Sequence, residues 1–284
     1  MVTFAFMTIL LFTVIMLAGA FTAGLLGSLT GLGGGVVIIP LLTLIFHVDI
    51  RYAIGSALVA SIATSSGSAA AYIKEGITNI RIGMFLEIAT TTGAIIGAII
   101  AVYTATHVIA ILFGTILLFS AAMTLRKKNE EAESEEKSRW AHVLRLNGSY
   151  PTKDGMVEYK VRRVLGGYSL MTIAGVISGL LGIGSGALKV LAMDTIMRIP
   201  FKVSTTTSNF MIGVTAAASA VVYLQRGYID PGIAMPVVIG VLVGSFTGSK
   251  ILVKASTKKL RLLFCVIISF LAIEMIYNGL SGKL

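Results

Sequence analysis

Residues 31–40 read GLGGGVVIIP, four glycines in five positions and then an apolar run. A helix facing lipid has no need of so many glycines, whereas backbone that must bend or approach another group closely does. The apolar run 36–46 has 11 residues. As helix it covers about 16 Å, against a bilayer core of roughly 30 Å. It cannot cross alone. The preceding glycines are therefore expected to lie inside the membrane as non-helical backbone, which is tolerated there only when buried in protein or facing a polar cavity. Pro40 is expected in the first turn or so of the short helix, where its missing N–H costs little.

Working outward, the rest of the chain fits a membrane setting. Of 284 residues 56% are hydrophobic and 13% charged, and the mean hydropathy is +0.91, which excludes an ordinary soluble domain. Runs without Lys, Arg, Asp or Glu cover 1–26, 53–73, 108–125, 203–224, 231–249 and 262–273. The first lacks a basic start and a cleavage site, so it is expected to be a retained span. The single cysteine, Cys265, excludes an intrachain disulfide and reads as a packed thiol. The net charge of +10 is concentrated, with ten of the 23 Lys and Arg in 126–163 and five more in 250–261. That is the pattern of cytoplasmic loops beside membrane spans rather than of a nucleic-acid binder. The expected partners are the lipid bilayer and a small anion, and composition sets no oligomeric state.

The chain contains one unit twice. At an offset of 151 residues Gly24, Gly31, Gly33 and Gly35 fall on Gly175, Gly182, Gly184 and Gly186. At the same offset YIKEGITN (72–79) falls on YLQRGYID (223–230), and Gly93 and Gly97 on Gly244 and Gly248. Five apolar segments per unit are expected, near 4–26, 36–46, 53–73, 82–102 and 108–125, then 164–181, 187–198, 203–223, 231–252 and 260–280. An odd number inverts the second unit. Five crossings each place 19 of the 23 Lys and Arg on the side of the central linker, and four would move the 250–261 cluster across. The expected fold is an all-α polytopic membrane protein of two inverted five-segment repeats, each with a Gly-rich re-entrant loop and a short broken helix. Its parts are 1–125, a charged cytoplasmic linker 126–163 with a possible β-hairpin, and 164–284, with both termini outside. Inverted repeats with broken helices are the architecture of many secondary transporters.

Candidate site residues follow from that pattern. A glycine loop feeding a helix N-terminus exposes backbone N–H groups to an anion at the positive end of the helix dipole. Gly31, Gly33, Gly34 and Gly35 form one such loop, and Gly182, Gly184, Ser185 and Gly186 the other. Gly93, Gly97, Gly244 and Gly248 are read instead as helix-packing glycines. Lys189, whose mate in the first unit is Ile38, could meet an anionic substrate, pair with Asp194 or snorkel. STTTSNF (204–210) puts five hydroxyls before Asn209, whose amide needs partners inside a membrane. Ser56 is the mate of Thr207, and both join the candidate list with Asn209. Glu87 and Asp194 could carry a coupling proton. No spacing of His, Cys, Asp or Glu suggests a metal, and no cofactor motif is present. The histidines 47, 107 and 142 share no helix with Ser185, so catalysis is not expected.

These residues resemble the sulfite exporter TauE/SafE family, also called the toluene sulfonate uptake permease family, over nearly the whole chain. The resemblance is carried by GSLTGLGGGVVIIPLL (27–42), AIGSAL (53–58), SGLLGIGSGALKVLAM (178–193), IPFKVSTTTSNFMIGVTAAASA (199–220) and the YLQRGYIDP turn. It implies movement of small sulfur oxyanions or organosulfonates across the cytoplasmic membrane, often outward. The family's second loop usually has Gly where this chain has Ser185 and Pro where it has Leu191, so the substrate could differ. An anion channel of the same architecture, or a carrier of a non-sulfur anion, remains open from the residues alone.

Overall fold

The computed structural model describes residues 9–30, 33–74, 76–125, 139–152, 155–252 and 257–282. Gly31 and the charged stretch 126–138 lie outside the described residues. The first half runs through α1 (Ile9–Thr30), α2 (Gly35–Pro40), a π-helical turn π1 (Leu41–Ile45), α3 (Ile50–Lys74), α4 (Ile80–Tyr103) and α5 (Thr106–Leu125). A short helix α6 (Arg139–Val143) and an antiparallel hairpin of β1 (Gly148–Thr152) and β2 (Gly155–Tyr159) follow. The second half repeats the order with α7 (Val164–Leu181), α8 (Gly186–Leu191), π2 (Ala192–Ile196), α9 (Phe201–Gln225), α10 (Pro231–Leu252) and α11 (Thr257–Leu280). The protein is thus almost wholly helical, and five of its described helices are long and apolar enough to cross a membrane: α1, α4, α7, α9 and α10.

The 151-residue offset governs the element bounds. α2, π1 and α3 begin and end 151 residues before α8, π2 and α9, and α4 and α5 begin 151 before α10 and α11. Matched positions use matched or substitute chemistry. Asn79 Oδ1 accepts from the Ile82 amide at 3.1 Å to cap α4, and its mate Asp230 Oδ1 accepts from the Gly232 amide at 2.7 Å beside α10. Pro40 sits at the sixth residue of α2, past the first turn where the sequence reading put it, because the helix starts at Gly35 and then widens into π1. Proline does not cause the widening. Leu191 holds the matched place before π2. The Thr43 hydroxyl donates to the Ile39 carbonyl at 2.9 Å across the wide turn.

Packing is symmetric under exchange of the halves. α1 lies on α10 and α4 on α7, while α3 lies on α9 and α5 on α11. A Cβ on Gly93 or Gly97 would strike the backbone of α7 at Thr172 or Val176, and one on Gly244 or Gly248 the backbone of α1 at Phe21 or Leu25. These glycines let helix backbones touch, as the sequence reading expected.

The start of α3 meets the end of α9, where Gly55 rests on the Tyr228 carbonyl, so these two helices are antiparallel. The segments after π1 and π2 therefore lie at opposite ends. At the first end Arg51 donates to the Thr104 carbonyl at 3.0 Å, with its guanidinium 5.9 Å from the Tyr228 ring centre. At the other end the hairpin is moored to the membrane helices. Asn79 Nδ2 donates to the Tyr159 hydroxyl at 2.7 Å, and the Arg162 amide to the Met197 carbonyl at 3.0 Å. Burial pushes the Tyr159 phenol above its ordinary range, against the opposing pull of Asn79, so it stays un-ionised in this joint. Ala141, Leu146 and Val161 pack there with Ile82, Met193 and Met197.

Candidate functional site

The two glycine loops come together in the interior. A Cβ on Gly35 would stand 2.8 Å from the Gly182 carbonyl oxygen and 3.1 Å from Ser61 Oγ. One on Gly33 would stand 3.6 Å from Ile212 and 3.7 Å from the Ile183 carbonyl, and one on Gly184 2.9 Å from Ile212. Ile212 is at the midpoint of the 25-residue α9. Gly34 faces Thr64, a central residue of α3, and Val241, the middle of α10. Both loops therefore lie halfway between the two ends of the molecule. Gly33 and Gly184 adopt φ of +83° and +67°, the left-handed region that suits glycine.

Among the described residues the loop backbones differ in hand at one matched pair. Gly34 is ordinary right-handed backbone at φ −67°, whereas Ser185 is left-handed at φ +42°. Its side chain is 2% exposed and its Oγ has no hydrogen-bond partner among the described residues. Asn209 Nδ2, Ser61 Oγ and Ser56 Oγ are also buried without partners. Each such donor left unmet inside a protein costs about 1–3 kcal/mol, so this many call for an explanation. A cavity of about 10 Å³, room for one water, adjoins Ser185, Gly186, Val36, Ser120 and Ile268.

Lys189 is fully buried, one turn past Ser185. Its ammonium donates to Thr215 Oγ1 on α9 at 2.5 Å. The Thr215 hydroxyl in turn donates to Glu87 Oε1 on α4 at 2.6 Å, and Thr91 donates to the same oxygen at 3.2 Å. The charged groups of the two halves are thus joined through one hydroxyl.

Three other candidates, Thr207, Ser56 and Asp194, lie apart from the loops. Thr207 Oγ1 accepts from the Asn79 amide at 3.1 Å, which ties α9 to the start of α4 beside the hairpin. Ser56 lies near the Arg51 end of α3, next to Gly55. Asp194 is half-buried on π2. Asn209 lies at mid-depth, its carbonyl accepting from Ser65 Oγ of α3 at 2.6 Å. Thr215, Ser61 and Ser65 were missed by the sequence reading. Thr215 is an isolated small hydroxyl on a long helix and Ser61 and Ser65 lie in the hydroxyl-rich run SIATSSGS (61–68), and in both settings back-bonding to the helix is the commoner use.

Residues 15–275 match the model of the family described as sulfite exporter TauE/SafE, and the chain belongs to that family. The chain is 28% identical to the probable membrane transporter protein YunE of Bacillus subtilis, over 94% of this chain and 98% of that protein. It is 24% identical to the probable membrane transporter protein YdhB of the same organism, over 81% of this chain and 86% of the other. A probable membrane transporter protein of Methanocaldococcus jannaschii is 24% identical over 94% of this chain and 96% of its own. No solved structure matches the chain. With several helices long and apolar enough to span a bilayer, it is a multi-pass membrane protein of a transporter family.

Proposed function

We propose that this chain is a secondary transporter that moves a small sulfur-containing anion, such as sulfite or an organosulfonate, across the cytoplasmic membrane, working as an exporter. One observation carries the reading: two matched glycine loops meet at mid-depth beside buried hydrogen-bond donors that have no acceptor among the described residues. A tetrahedral or pyramidal oxyanion offers several acceptor oxygens to such a set. Gly33, Gly34, Gly35, Gly182, Gly184, Ser185 and Gly186 supply close backbone, Ser185 and Asn209 supply side-chain donors, and Lys189 supplies the positive charge. Gly31, Ser56 and Thr207 belong to the wider candidate set by sequence position. The family's own description, sulfite exporter, supports the substrate class and the direction.

In this reading the two halves are inverted repeats. α2 with π1 and α8 with π2 are re-entrant half-spans of about 16 Å that enter from opposite faces and meet at the middle of a core of roughly 30 Å. The basic hairpin end faces the cytoplasm by the distribution of Lys and Arg, and the termini lie outside. Rocking of one half on the other gives alternating access. A cavity with room for a single water supports a carrier over an open pore.

Thermal stabilisation of the purified protein by sulfite, sulfate, thiosulfate, taurine, chloride and phosphate tests the site. The expected result is a shift for a sulfur anion that both Gly34→Leu and Lys189→Ala lose. A shift for no anion, or one that both variants keep, would overturn the assignment of the loops.

A further inference from the structure

Glu87 and Lys189 are buried opposite charges that come from different halves of the chain. Lys189 stands on the broken helix α8, Glu87 on the long helix α4, and Thr215 of α9 bridges them. Proton donation runs one way, from the ammonium to the hydroxyl and from the hydroxyl to Oε1. The second carboxylate oxygen, Oε2, is buried without a partner among the described residues. A carboxylate with one oxygen unmet in so dry a place is half-compensated, and adding a proton to it removes the uncompensated charge.

The titratable surroundings are sparse, which isolates the pair. α7, packed on α4, carries only Tyr168, whose ring lies 5.3 Å from that of Phe85. α9 carries Lys202 near one end and Tyr223 near the other, with Thr215 between. α8 carries Lys189, and π2 carries Asp194 five residues further along. Thr90 and Thr91 complete the hydroxyl lining around Glu87.

We infer that Lys189, Thr215 and Glu87 form the proton-coupling switch of this carrier, with Glu87 the proton site, Thr215 the positioning residue and Lys189 the group whose charge is switched. The inference rests on the transport reading above. When Glu87 is ionised, its charge is answered through Thr215 by Lys189, and the broken helix carries no net attraction for an anion. When Glu87 takes a proton, Lys189 keeps a charge that no carboxylate among the described residues answers, and an anion at the adjoining loop answers it. Proton and anion therefore bind together and travel in the same direction. The link joins α4 of one half to α8 of the other, so loading also alters the contact along which the halves must move.

The sign is fixed. Anion binding takes up one proton, so apparent affinity falls as the pH rises. Glu87→Gln mimics the protonated state and makes binding independent of pH. Thr215→Val removes the bridge and flattens the pH profile, and Thr215→Ser, which keeps the hydroxyl, restores it.

The test uses the full chain in proteoliposomes with 35S-sulfite and 35S-methanesulfonate as probes. Exchange at equal pH on both sides is read first. Uptake is then read at fixed external pH while the lumen is made more alkaline, so that the external probe is in the same protonation state throughout. The expected result is exchange in the wild type, uptake that rises with the pH difference, and no such rise in Glu87→Gln or Thr215→Val. The Thr215→Ser and Thr215→Val pair carries the test if Glu87→Gln does not fold. Exchange with uptake that ignores the pH difference, or a pH response that survives in both Glu87→Gln and Thr215→Val, overturns the coupling switch and leaves the transporter standing. Absence of exchange with both probes overturns the transport reading, and the switch with it.

Discussion

At the scale of single residues, Ser185 is where the two halves part company. Its mate Gly34 is right-handed, while Ser185 takes the left-handed backbone that costs a non-glycine residue roughly 1–2 kcal/mol. Strain of this kind persists where something else uses it. Ser185→Gly should therefore raise the thermal midpoint of the empty protein, by an amount corresponding to about 1 kcal/mol, and should also reduce the stabilisation given by a sulfur anion. A rise in both quantities would deny Ser185 a part in binding. Lys189 stood out in the sequence because a lone lysine in an apolar run with an apolar mate is costly to keep. Its partner was not legible. Asp194 stands five positions away in sequence, whereas Glu87 and Thr215 reach it only through the packing of α4 and α9 against α8. The mates of Glu87 and Lys189 are Val238 and Ile38, so each of these two buried charges lacks a counterpart in the other half, and they are of opposite sign. That complementarity is the signal that could have joined them.

At the scale of elements, the broken helices were readable from length alone. A run of 11 apolar residues after a glycine cluster is too short to cross, and the structure begins α2 and α8 within one residue of the expected places. The π turns were not readable. They depend on where the wide turn lets the chain leave for α3 and α9, and no residue type marks them, since proline precedes one and leucine the other. Such turns recur at functional sites. The packing glycines were legible from their duplication. Adding a methyl at Gly179, where a Cβ would collide with the Ala94 backbone, forces α7 off α4. Gly179→Ala is expected to destabilise by about 1–3 kcal/mol, read as a lowered thermal midpoint. Gly227→Ala, in open space at a turn with φ +73°, isolates backbone strain from helix separation and should change less. Equal effects would mean that contact between α4 and α7 contributes little.

For the whole molecule, repeat and register were available from the sequence, because an ungapped offset of 151 survives in glycines that cannot be exchanged without separating helices. What the offset cannot carry is the meeting of the loops, which depends on how the halves dock, nor the tie between hairpin and α4 through Asn79 and Tyr159. The proposed orientation makes a two-sided prediction. In a Cys265→Ser background, a cysteine at Asp49 should react with an impermeant thiol reagent added outside cells. One at Lys160 should react only after the cells are opened. Labelling of both from the same side would contradict inverted repeats.

The measurement closest to the central claim is 35S-sulfite exchange across proteoliposomes loaded with unlabelled sulfite, run with the wild type and with Gly34→Leu, whose side chain would be driven onto Thr64 and Val241 at the meeting of the loops. The account predicts saturable accumulation of label by the wild type, and at least a tenfold loss in Gly34→Leu protein that still purifies as a folded, monodisperse species. Undiminished exchange in that variant would contradict an anion path through the glycine loops, and no exchange of sulfite or of any other sulfur anion by the wild type would contradict the transport function itself.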